Sequence, residues 1–117
     1  MKMNFEETEE FEKDFKKLLK RYKTLGDDLL EFKRILSKFP AGIGKHFNII
    51  TKSEYVCIIK ARFFSRSLKK KNLRIVYAYR NNSKIEFIEI YFKGDKENKD
   101  RERIKYYLKK IEIYNKF

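Results

Sequence analysis

Near His46 the spacing of apolar residues changes from helical to strand-like, and that change confines the chain to an α+β fold. Before it, Phe11, Phe15, Leu18, Leu19 and Tyr22 fall at i, i+4, i+7, i+8 and i+11, which predicts a helix over 9–22 with one apolar stripe. Its acids (Glu9, Glu10, Glu12) come early and its bases (Lys17, Lys20, Arg21) late, as the helix dipole favours, so this charge run needs no partner to explain it. Leu25-Gly26 reads as a break, after which Asp27 or Asp28 caps a second helix marked by Leu29, Phe32, Leu36 and Phe39 and ended by Pro40. Residues 1–6 have room for a short strand ahead of this hairpin.

After the change, apolar residues alternate. Strands are predicted over 46–51, 54–64, 73–80 and 84–92, with a tight turn at Asn81-Asn82-Ser83 and an end at Gly94-Asp95. Ile104, Tyr107, Leu108 and Ile111 mark a closing helix over 98–113. The expected architecture is one domain over 1–117: a helix hairpin packed in two layers on a mainly antiparallel four-stranded sheet, plus the C-terminal helix.

Charge matters because of where it falls. The net charge is +13, and residues 41–93 hold twelve Lys/Arg against three Asp/Glu, so most of the excess sits on the predicted sheet. Period-two alternation sorts that sheet into two faces. Cys57, Ile59, Ala61 and Phe63 point one way, with Leu73, Ile75, Tyr77 and Tyr79 and, in the last strand, Glu86, Ile88, Ile90 and Phe92. The other face then gathers Lys60, Arg62, Arg74, Arg80, Tyr91 and Lys93, with Phe87 and Glu89 among them. Arg66, Lys69, Lys70 and Lys71 add a basic connection between strands. Such a surface reads as a polyanion site, because neutralising phosphates releases counterions; the bland alternative is a solvated lysine-rich surface.

Other chemistry is thinly represented. The chain has no Gly-rich phosphate loop, paired-His metal motif or nucleophile elbow, so neither metal nor cofactor is expected. The single histidine, His46, reads as a surface or structural residue, and the single cysteine, Cys57, as a buried thiol in a reducing cytosol. No apolar run approaches the roughly 20 residues of a membrane span, and the N-terminus lacks a signal-peptide pattern, so a cytoplasmic chain is expected. RNA cleavage remains open to Lys, Arg and Tyr, since RNA carries its own nucleophile in the 2′-hydroxyl. A Lys crowded by cations can take that proton, and Arg can stabilise the phosphorane. The same groups would serve simple binding.

The order helix hairpin, "YVCIIKAR", "NLRIVYAY", "IEFIEIYFKGDKE" and terminal helix resembles the RelE/ParE superfamily of type II toxin–antitoxin toxins, from Phe5 to about Leu108. Its sharpest part is Leu73-Arg74-Ile75-Val76-Tyr77, similar to the family's Arg-hydrophobic-hydrophobic-Tyr strand. The resemblance implies a compact RelE-like fold and metal-independent, ribosome-dependent cleavage of mRNA. By position it gives Lys60 a part in proton transfer, with Arg62 beside it, and puts Arg74 on the scissile phosphate. Lys93 stands at the C-terminal basic position, with Tyr91 an aromatic on that edge. Arg66, Lys69, Lys70, Lys71 and Arg80 are the expected RNA-binding residues. Where members carry Arg or His and then a catalytic Tyr, this chain has Phe92-Lys93-Gly94-Asp95. The alternatives are a ParE-like poison that binds DNA gyrase and a non-catalytic RNA-binding relative. Either toxin branch implies a cognate acidic antitoxin that folds as it wraps the toxin.

Overall fold

A computed structural model describes residues 2–68, 73–93 and 101–115. In chain order the elements are β1 (Asn4–Glu7), α1 (Glu9–Arg21), α2 (Leu25–Lys38), β2 (Phe47–Lys52), β3 (Val56–Phe63), β4 (Leu73–Arg80), β5 (Lys84–Phe92) and α3 (Arg101–Asn115). The α+β class is as expected, but the sheet is mixed and has five strands rather than four, in the order β1-β5-β4-β3-β2. The added strand is β1, which lies parallel to β5, whereas the other pairs are antiparallel. With β1 and β2 at opposite edges, the helix hairpin between them crosses one face of the sheet.

Local sequence explains most element ends. Thr8 caps α1, its hydroxyl accepting from the Phe11 N–H at 3.2 Å, and the first-turn acids and last-turn bases follow the dipole. The second helix departs from expectation. It begins at Leu25 and runs through Gly26, and its N-cap is Thr24, with no side-chain capping bond. Asp28 is no cap. Its carboxylate instead accepts from Ser65 Oγ at 2.6 Å, Thr24 Oγ1 at 2.9 Å and Arg66 Nε at 3.1 Å, so it ties the end of β3 to the start of α2. Asn81 and Asn82 both take left-handed φ values, 51° and 58°, as a tight hairpin between β4 and β5 requires. Gly42 (φ 86°) also sits where a Cβ would run into the Phe47 ring, so the loop into β2 can lie flat on that ring only with glycine there.

The hairpin face holds the larger core. Phe11, Leu25, Leu29, Phe32 and Leu36 pack on Ile59, Phe63, Ile75, Tyr77, Phe87 and Ile90, and the Tyr77 hydroxyl donates to the Pro40 carbonyl at 2.9 Å. Cys57 lies in this core, and burial pushes its thiol up, as suits a structural thiol.

The opposite face is half covered, which adds a third layer. Ile104, Tyr107 and Ile111 of α3 pack on Val56, Ile58, Val76, Ala78 and Ile88. Tyr107 reaches Glu86 at 2.8 Å, and Arg103 reaches Asp14 at 2.7 Å.

One irregularity overturns part of the expected face assignment. Val76 pairs with Glu89 but Tyr77 pairs with Phe87, so Ile88 is an extra residue in β5. Strict alternation put Glu86 and Ile88 with the hairpin core and Phe87 opposite. The bulge reverses this: Ile85 and Phe87 enter the hairpin core, while Ile88 joins the α3 core and Glu86 faces Arg80. Beyond the bulge, Ile90 faces the hairpin and Tyr91 the other side, as expected. The Ile88 carbonyl freed by the bulge accepts from Thr8 Oγ1 at 3.4 Å and from Arg103 at 3.2 Å, so α1, β5 and α3 meet there.

Candidate nucleic-acid interface

The half of the sheet that α3 leaves uncovered carries Lys60, Arg62 and Arg74. Antiparallel pairing sets Arg62 of β3 opposite Arg74 of β4, and Arg74 opposite Tyr91 of β5. On the other side the Arg62 N–H donates to the His46 carbonyl at 3.0 Å. Thus His46, Arg62, Arg74 and Tyr91 form one row, roughly 14 Å long across four strands about 4.8 Å apart. Asn48 pairs with Lys60 in the next row. These rows floor a cleft of about 170 Å³ lined by Lys45, His46, Asn48, Lys60, Ala61, Arg62, Arg74, Tyr91 and Lys93. Five of the nine are Lys or Arg, and none is a carboxylate.

The centre of the row is costly. Arg74 is only 9% exposed, and among the described residues it forms no ion pair; its guanidinium donates to the Leu73 carbonyl at 3.4 Å. Burial, and then the charge of Arg62, hold its guanidinium below the ordinary arginine value, while Tyr91 opposes that shift. Tyr91 is also buried, and burial followed by the charge of Glu89 pushes its phenol up, with Arg74 partly offsetting. The phenol therefore stays protonated at neutral pH and can donate to an anion. A buried cation beside a like charge is the kind of arrangement that marks a binding or catalytic site more often than a stabilising one.

Lys60, Arg62, Arg74, Tyr91 and Lys93 are thus brought together. Arg80 is not. It turns under α3, 3.2 Å from Glu86 and 3.3 Å from the Tyr107 hydroxyl; burial alone would lower its pKa, but these partners raise it. It lies on the expected face but docks α3 there, outside the cleft, so it does not join the other cations. Arg66 bonds Asp28 through both its guanidinium and its backbone N–H, and Asp27 lies 4.0 Å away. Lys69, Lys70 and Lys71 lie outside the described residues. Glu89 is buried and lines a separate groove with Asp14, Lys17 and Arg103.

Three cleft residues escaped the sequence reading: Lys45, His46 and Asn48. The signal for two of them was parity. Phe47 enters the hairpin core, so its neighbours His46 and Asn48 must face the other side.

A larger cavity, about 560 Å³, lies elsewhere, between the start of α1 and α3. Its lining mixes Glu6, Glu7, Glu9, Glu10 and Glu86 with Arg80, Lys84 and Arg103, and several of these are paired with one another. Its charges largely answer each other, whereas the smaller cleft concentrates one sign. Among the described residues no group of three or more His, Cys, Asp or Glu is placed to hold a metal ion. No helix among them is long and apolar enough to cross a membrane. No family model, no curated protein and no solved structure matches the chain.

Proposed function

We propose that this chain is the toxin of a type II toxin–antitoxin pair, with a RelE-like fold, and that it cuts mRNA on the ribosome without a metal ion. The observation that carries this reading is the row His46–Arg62–Arg74–Tyr91, with Lys60 beside it, in a cleft free of carboxylates. RNA transesterification needs a base for the 2′-hydroxyl, charge stabilisation at phosphorus and an acid for the 5′-oxygen. Lys60, as its neutral amine, takes the 2′-hydroxyl proton as that oxygen attacks phosphorus. Arg62 and Arg74 stabilise the phosphorane, and the Tyr91 phenol donates to one of its oxygens. His46 gives a proton to the 5′-oxygen as the P–O5′ bond breaks. The products are a 2′,3′-cyclic phosphate and a 5′-hydroxyl. The net charge of +13 suits a second partner, an acidic antitoxin, by speeding their encounter.

The test is mRNA cleavage on programmed ribosomes, comparing the unaltered protein with Arg62→Ala, Arg74→Ala and His46→Ala. Ribosome-dependent cuts are expected, reduced about 100- to 1,000-fold by loss of either arginine and about 100- to 10,000-fold by loss of His46. Thermal melting should stay near the wild-type value for Arg74→Ala, since that change removes a buried, like-charge-flanked cation. Intact mRNA with a well-folded protein would overturn the nuclease and turn the reading toward gyrase poisoning or binding alone.

A further inference from the structure

Phe64 follows directly on β3 and is 60% exposed, although its neighbour Phe63 is buried in the hairpin core. Its ring lies 5.6 Å from that of His46, at an interplanar angle of 82°. His46 in turn lines the cationic cleft. An exposed aromatic ring thus stands at the end of the Arg62–Arg74 row, held in orientation by an edge-to-face neighbour.

We propose that Phe64 is a base-stacking platform: a nucleotide whose phosphate sits in the cleft lays its base on the Phe64 ring. This rests on the reading of the cleft as an RNA site and adds to it a determinant for unpaired bases. Two physical facts favour it. Single-stranded nucleic acid is commonly held by a positive groove together with aromatic faces on which bases stack. A ring already oriented by a neighbour loses little freedom when a base packs on it. A duplex hides its base faces, so the same cleft with a stacking ring at its end selects single strands.

The experiment compares binding of two fluorescent eight-nucleotide strands, oligoadenylate and a ribose-phosphate strand of equal length without bases. Both have the same charge, so their affinity ratio isolates the bases. The unaltered protein should prefer oligoadenylate by roughly 5- to 100-fold. Phe64→Ala and Phe64→Leu should lose most of that preference and keep their affinity for the base-free strand, while Phe64→Tyr should retain the preference. Phe64→Leu preserves an apolar contact with His46, so it separates loss of the ring from local collapse. Arg74→Ala should weaken both strands alike. If Phe64→Leu keeps the full preference while Arg74→Ala weakens both strands, the platform falls and the cleft stands. If the unaltered protein binds neither strand, or Arg74→Ala changes nothing, the cleft reading falls and takes the platform with it.

Discussion

At the scale of single residues, two charged groups show opposite uses of burial. Arg74 is buried beside another arginine and forms no ion pair among the described residues, so its position reads as a cost borne for a ligand. Asp28 is buried among donors. Burial alone would raise its pKa, but hydrogen bonds from Ser65, Thr24 and Arg66 outweigh that and hold the carboxyl below its ordinary 3.8. A carboxyl whose folded pKa is depressed contributes stability that is complete above the unfolded pKa and is lost as pH falls through the folded value. Asp28→Asn should therefore cost about 1–3 kcal/mol at neutral pH. In urea unfolding, the gap between variant and wild type should close as the pH drops below about 4. A gap that persists unchanged into acid would mean that packing, not the charge of Asp28, supplies the stability. The role of Asp28 was not visible locally: it had every mark of a helix cap, and Ser65 and Arg66, more than thirty residues away, decided otherwise.

Among the elements, α3 and the β5 bulge set the limits of the cleft. The helix covers the sheet from Val56 and Ile58 to Ile88, and the polar link Tyr107–Glu86–Arg80 fixes it there. Tyr107→Phe removes the hydroxyl that bonds both partners and leaves Glu86 and Arg80 short of a contact in a half-buried place. It should cost about 1–3 kcal/mol of unfolding free energy, with RNA binding by the cleft unchanged. A variant as stable as wild type would show that the apolar contacts alone dock the helix. Alternation in the sequence correctly grouped Lys60, Arg62, Arg74 and Tyr91 on one face, and it placed both ends of β4 and β5. Alternation missed Ile88, because an inserted residue carries no compositional mark. It is recognisable only once Val76 and Tyr77 have chosen their partners across the ladder.

For the whole molecule the governing quantity is charge distribution. If Lys60, Arg62, Arg74 and Lys93 each neutralise one phosphate, log affinity for single-stranded RNA should fall with log salt at a slope of roughly −3. Anisotropy titrations across a range of salt concentrations measure it, and a slope near zero would remove the electrostatic argument for the cleft.

Sequence alone determined what depends on near neighbours along the chain. The helix hairpin, the faces of β3, β4 and the end of β5 beyond the bulge, and the sheet's excess of cations follow from spacing and side-chain type. The tertiary structure alone decided which cations share a site. Arg80 and Arg74 occupy one strand and point to one face, yet Arg80 is claimed by Glu86 and Tyr107 under α3, and Arg74 is left facing the cleft. His46 joins that cleft only because β2 pairs with β3. Both outcomes arise from contacts between residues distant in sequence, and period-two alternation orients a side chain without saying what will lie over it.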